Sequence, residues 1–154
     1  MQLNSEIIIS DTSCLILLGK IDELNLLNKI SDKVFITSAI KNEYGKDLPS
    51  WITIKEPHDN HYQRILEMDL DKGEASAIAL SLEMDNSIVI IDDLKGRKVA
   101  ERLNLRYSGT FGMILRAKQI GIIQSVKPIL IKVRKTNFRF SEKLFKLILE
   151  QAGE

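Results

Sequence analysis

Short apolar runs alternate with amphipathic stretches along this chain, and the alternation predicts strands and helices in turn. Glu6 to Ser10 is an unbroken β-branched run, suited to a strand buried on both faces. Asp11-Thr12-Ser13 then opens a helix with Leu15, Leu18 and Ile21 at helical spacing. Val34 to Thr37 reads as a second strand, and Ser38 as the cap of a helix that runs through Glu43 and Tyr44 to Gly45. Trp51 to Lys55 alternates as an edge strand does. His58 to Met84 reads as two helices broken near Asp71-Lys72-Gly73, and Ser87 to Ile91 as a second buried strand ending in Asp92-Asp93. A helix from about Lys95 to Leu103 and a short strand Arg106 to Ser108 follow. Thr110 then caps a helix carrying Met113, Ile114, Ala117 and Ile120 and closed by Gly121. Helices over Ser125 to about Lys135 and Ser141 to Gln151 end the chain, with Pro128 tolerated in a first turn.

Strands alternating with helices predict an α/β fold, a three-layer α/β/α sandwich around a central parallel sheet. The 154 residues suffice for one domain over 1–154, in which about 125–154 form a C-terminal helical extension. Ile8, Ile9, Ile36, Val89, Ile90 and Ile114 are the expected core. In such sheets ligands bind outside the carboxyl ends of the strands, where strand order reverses.

Composition changes this picture little: 44% hydrophobic and 28% charged residues are ordinary for a globular protein. No apolar run is long enough to cross a bilayer, and Ile7-Ile8-Ile9 is too short for a signal peptide, so a cytoplasmic location is expected. The single cysteine, Cys14, sits in an apolar stretch and reads as a core residue. Charge is more informative once split along the chain. Residues 1–94 hold 8 Lys/Arg against 17 Asp/Glu, whereas residues 95–154 hold 14 against 4. One region suits cations and the other a polyanion. Lys95, Arg97 and Arg116, close in sequence to the Asp92-Asp93 turn and to Thr110, are the expected phosphate contacts.

The carboxylates carry the candidate chemistry. Asp11 ends the first strand and Asp92-Asp93 end the central one, so a parallel sheet brings them to one edge. Helix capping is the ordinary job of Asp11, although Thr12 and Ser13 are equally able to cap. Glu74 shares a helix face with Ala77, Ile78 and Ser81, a small and apolar face that packs on a sheet. Glu43 follows Ala39 and Ile40 by one turn and points to the core margin. Taken singly, each acid has a structural explanation. Together they set several charges close to one another, and two unit charges at 4 Å repel by about 4 kcal/mol at an effective dielectric of 20. A divalent cation removes that repulsion, and hard oxygen donors select Mg²⁺ or Mn²⁺. Such clusters suit in-line displacement at phosphorus.

Five stretches in this order and spacing resemble the PIN-domain family. They are Ile9-Ser10-Asp11-Thr12-Ser13, Ile36 to Tyr44, Gly73 to Leu80, Ile90-Ile91-Asp92-Asp93-Leu94-Lys95-Gly96-Arg97, and Gly109-Thr110-Phe111-Gly112. The resemblance covers essentially the whole chain and is nearest to a less-studied branch. It implies a metal-dependent ribonuclease, in bacteria and archaea often the toxin of a type II toxin–antitoxin pair. RNA is then the substrate, and an antitoxin protein and a second copy of the chain are expected partners. Carried over position by position, Asp11, Glu43, Glu74 and Asp93 are the catalytic, metal-binding acids, with Asp92 a further metal ligand. Thr12, Ser13 and Thr110 give polar support. Many members have Thr or Ser two residues before the fourth acid, where this chain has Ile91, which leaves open the division of roles between Asp92 and Asp93.

Other constellations are weaker. His58 and His61 are three apart in an expected helix, but lack a third nitrogen or sulfur ligand and read as surface residues. Gly109-Thr110-Phe111-Gly112 lacks both the dinucleotide fingerprint and a Walker lysine. Aspartate-based phosphoryl transfer also places acids at strand ends, usually as a pair at the first strand, where this chain offers Asp11 alone. A non-catalytic module that binds RNA or a partner protein through its basic half is the remaining alternative.

Overall fold

A computed structural model of the chain describes residues 6–154. Five parallel strands form its sheet: β1 (Ile7–Ile9), β2 (Val34–Ile36), β3 (Ile52–Ile54), β4 (Ser87–Ile90) and β5 (Tyr107–Ser108), in the order β3-β2-β1-β4-β5. The two most apolar runs, β1 and β4, lie side by side at the centre, with Ile8 opposite Ile88 and Ile9 opposite Val89. β3 is an edge strand, as its alternation predicts, and Thr53 and Ile54 are exposed. Because β2 and β3 extend to one side of β1 and β4 and β5 to the other, strand order reverses between β1 and β4. The crevice that this topology leaves beyond their carboxyl ends is the expected ligand site.

Helices cover the sheet on both sides, giving the three-layer α/β/α sandwich. They are α1 (Thr12–Lys20), α2 (Asn25–Ile30), α3 (Ser38–Tyr44), α4 (His61–Leu66), α5 (Lys72–Glu83), α6 (Leu94–Arg102), α7 (Thr110–Gln119), α8 (Lys127–Arg134) and α9 (Glu142–Gln151). Ala75, Ala77, Ile78, Ala79 and Leu80 are all buried, and this small-residue helix α5 lies against β1, β4, α3, α4 and α6. On its side of the molecule α7 packs on β5, α2 and α9. Ile8, Ile9, Ile36, Val89, Ile90 and Ile114 are each at most 1% exposed, as core residues should be. Burying one such side chain contributes about 1.5–3 kcal/mol. Among the described residues no helix is long and apolar enough to cross a membrane.

Several caps differ from expectation by one residue. Thr37, not Ser38, caps α3, accepting the Ile40 N–H at 3.3 Å. Gly109 precedes α7 and Thr110 is its first residue, which frees the Thr110 hydroxyl for another partner. α2 falls in a stretch where no element was expected, and α8 begins at Lys127 rather than Ser125. The expected His58–His61 helical pair does not form, because α4 starts only at His61. His61 pairs instead with Asp59 at 2.7 Å in open solvent, and the backbone N–H groups of His58 and Asp59 donate to the Glu83 carboxylate.

Candidate active site

Asp11 leaves β1 in an extended conformation and begins α1, so its carboxylate sits at the crevice between β1 and β4. Its Oδ1 accepts the Cys14 N–H at 2.9 Å, which makes it the α1 cap. Oδ2 accepts the Asp92 N–H at 2.9 Å, tying β1 to the end of β4. The residue is only 4% exposed. Burial first, and then the Asp92 charge, push its pKa up to about 7, against the lowering effect of those two backbone donors.

Asp93 caps α6, its Oδ2 accepting the Gly96 N–H at 3.2 Å, and is exposed at the rim. Glu74 stands in the first turn of α5. Its Oε2 is buried and has no hydrogen-bond partner. Burial, then Asp71, Asp93 and Asp11, push its pKa up to about 8. Glu43 comes from α3. Burial and Asp71 raise its pKa, while the Gly73 N–H and the Thr12 hydroxyl oppose the rise. A Cβ at Gly73 would overlap Glu43 Oε1, and one at Gly96 would stand 2.8 Å from Glu74 Oε2. Two glycines thus clear the space that two of the acids fill.

Asp11, Glu43, Glu74 and Asp93 line a single cleft of about 60 Å³ together with Thr12, Ser13 and Asp71. Asp71 escaped the sequence reading because it stands in the break before α5. The signal was there: Asp71-Lys72-Gly73-Glu74 has capping-box spacing, and Asp71 Oδ1 accepts the Glu74 N–H at 2.8 Å.

Asp92 is directed elsewhere. Its Oδ1 accepts the Thr110 N–H at 2.7 Å and its Oδ2 the Thr110 hydroxyl at 2.6 Å. Arg97 lies 3.6 Å from Oδ1 and donates through Nε to the Ile91 carbonyl at 2.8 Å. This geometry separates the paired aspartates: Asp93 lines the acid cleft, whereas Asp92 braces β4 against the start of α7. Thr110 supports the site through Asp92 rather than by facing the cleft.

The basic residues also divide. Lys95 and Arg97 lie on the first turn of α6, at the carboxyl edge of the sheet. Arg116 does not rim the cleft. It pairs with buried Glu6 at 2.9 Å, and Arg106 pairs with the same carboxylate. α7 runs back across the sheet, and six residues at about 1.5 Å each carry Arg116 from the carboxyl edge to the amino edge, where Glu6 precedes β1.

The cleft suits a divalent cation in its donors, which are hard carboxylate oxygens, and in the buried, unpartnered Glu74 Oε2. Among the described residues no three acid, histidine or cysteine side chains already stand close enough to enclose a bare ion.

A family model described as a PIN domain matches residues 7–154. No curated protein and no solved structure matches the chain. PIN domains are generally nucleases and usually use divalent metal ions. With the match spanning every strand and every helix described here, the chain belongs to the PIN-domain family.

Proposed function

We propose that the chain is a Mg²⁺- or Mn²⁺-dependent ribonuclease that hydrolyses RNA phosphodiesters at the acid cleft. The observation that carries this reading is the convergence of Asp11, Glu43, Glu74 and Asp93 on one cleft in which Glu74 keeps a buried oxygen without a partner. Four acids, one from each of four βα units, are expensive to hold together for structure alone, and two of them have pKa values pushed up to about 7 and about 8.

Divalent ions, when bound, supply positive charge that offsets the carboxylates and polarises water and phosphate oxygens. Asp11, fixed through both oxygens, and Glu74 would hold an ion at the floor of the cleft. Asp93 and Glu43 would complete the set from the rim. Thr12 orients Glu43, and Thr110 keeps the Asp92 turn, and with it Asp93, in place. Lys95 and Arg97 would draw the RNA backbone to an edge that is otherwise acidic. The role of toxin, held in check by an antitoxin protein, and a homodimeric state extend the same reading.

Cleavage of an end-labelled RNA by the purified protein tests it. Activity is expected with Mg²⁺ or Mn²⁺, to be lost in EDTA, and to return on adding metal. Full activity in EDTA would overturn the reading. Glu74→Gln is expected to remove most of the activity with little cost in stability. A variant that unfolds while its folded fraction keeps wild-type specific activity would make Glu74 structural.

A further inference from the structure

Beside the acid cleft, on the other side of the Asp92-Asp93 turn, lies a cavity of about 500 Å³. Its volume is in the range that holds a drug-sized or nucleoside-sized ligand. Asp92, Arg97 and Thr110 line it together with Phe111, Phe138, Arg139 and Phe140. The rings make one assembly: Phe111 meets Phe138 edge-on at 5.9 Å and Phe140 at 5.2 Å.

Aromatic clusters often only seal a core, and Phe145, 7% exposed and stacked on Phe140, does so here. Phe138 is different. It is 37% exposed and stands on the loop between α8 and α9, where Phe138, Arg139 and Phe140 alternate aromatic and cationic groups. That loop is held in shape. Thr136 accepts the Phe138 N–H at 3.1 Å, and Asn137 accepts from Lys20 at 2.7 Å. Phe138 also borders a second groove shared with Ser13, and Ser13 lines the acid cleft, so the grooves share wall residues from one to the next. A flat π surface and two guanidinium groups near the acid cleft fit one kind of occupant. Bases stack on aromatic faces while cations hold the backbone, and only unpaired bases can reach such a wall.

We propose that Phe138, backed by Phe111 and Phe140 and flanked by Arg97 and Arg139, is a stacking subsite for an unpaired base next to the scissile phosphate. This deepens the ribonuclease reading and rests on it for the position of the scissile bond, whereas binding at the subsite can be measured without cleavage.

The test is fluorescence anisotropy of the intact protein in EDTA at low salt, with a labelled single-stranded RNA and a blunt duplex of the same sequence. The wild type is expected to prefer the single strand, and Phe138→Ala to weaken that binding roughly five- to a hundredfold while leaving duplex binding alone. Phe138→Trp should retain affinity, and its added indole emission should be quenched by the single strand. Arg139→Gln should lower the salt slope by about 0.7 for the lost phosphate contact. Equal binding of strand and duplex, no binding of the single strand by the wild type, or unchanged binding by a folded Phe138→Ala each overturn the proposal. The last result would give the wall to a protein partner instead. Phe138-dependent binding without any metal-dependent cleavage would keep the subsite and remove the ribonuclease reading.

Discussion

Asp11 Oδ2 accepts the backbone N–H of Asp92 at 2.9 Å, so one carboxylate both caps α1 and fastens the end of β1 to the end of β4. The bond sets the width of the crevice at the strand-order reversal. It also means that this acid is structural and chemical at once, and that its substitutions must be read on both scales.

Asp11→Asn and Glu74→Gln are therefore expected to behave differently in stability and alike in activity. Asp11→Asn should abolish metal-dependent cleavage and Glu74→Gln should remove most of it. Asparagine offers one carbonyl oxygen where Asp11 uses two, so either the Cys14 or the Asp92 N–H loses its acceptor, at about 1–3 kcal/mol. Glu74 Oε2 has no partner to lose. Chemical denaturation of the two metal-free variants checks this: equal stabilities would contradict the double role of Asp11.

The raised acids make a prediction about pH. Asp11 and Glu74 ordinarily titrate at 3.8 and 4.5, but in the folded chain they do so at about 7 and about 8. Between these limits the folded state binds more protons than the unfolded state, so their contribution is full below about pH 4. It falls as pH rises through 7 and 8. Metal-free protein should thus lose stability from pH 5 to 8, and the loss should shrink in Glu74→Gln. Added Mg²⁺ should stabilise most at the alkaline end, where the carboxylates are charged. Glu154, whose pKa is pulled down to about 2 by Ser125 and the Val126 N–H, acts only on the acid side of this window. Melting temperatures across the range, with EDTA and with Mg²⁺, decide the matter.

Gly73 and Gly96 separate site from fold. A methyl group at 73 meets the movable end of Glu43, an exposed side chain. Gly73→Ala should leave stability nearly unchanged and lower cleavage by displacing Glu43. At 96 the same group meets Ile91 Cγ2 at 2.7 Å, and Ile91 is fully buried and unable to yield. Gly96→Ala should cost about 1–3 kcal/mol in overpacking as well as activity. Similar losses of stability in both variants would show that Glu43 is held more firmly than its exposure suggests.

The sheet was legible because its central strands are the most apolar runs, and the site because strand ends in a parallel sheet share an edge. Asp11 and Asp93 could be grouped on those grounds, and Glu43 and Glu74 joined them through their inward helix faces and the resemblance to PIN domains. The direction of a side chain was not legible. Asp92 and Asp93 are neighbours in sequence, yet the extended turn sends one to Thr110 and the other to the cleft. Arg116 was misplaced for a similar reason: its nearness to Thr110 along the chain ignores the descent of α7 across the sheet. The Phe111–Phe138–Phe140 wall joins α7 to a loop far along the chain, and no local pattern announces such a meeting.

That difference between Arg97 and Arg116 yields the last prediction. Arg97 lines the aromatic cavity and its charge acts on Asp11 of the acid cleft, while the guanidinium lies 3.6 Å from Asp92 and donates through Nε to the Ile91 carbonyl. Arg116 is engaged with Glu6, a buried acid at the opposite edge of the sheet. Arg97→Gln should therefore weaken RNA binding across many sequences and lower the log–log salt slope by about 0.7, the share of one single-strand phosphate. Lys95→Gln, beside it on α6, should act in the same direction. Arg116→Gln should leave the slope where it is. Its effect should appear instead as a loss of about 1–3 kcal/mol in unfolding free energy, because Glu6 gives up a charged donor while Arg106 remains. Salt titrations of RNA binding, paired with denaturation of each variant, read the two scales separately. A flattened slope in Arg116→Gln at wild-type stability would move the RNA path to the amino edge of the sheet, away from the acids.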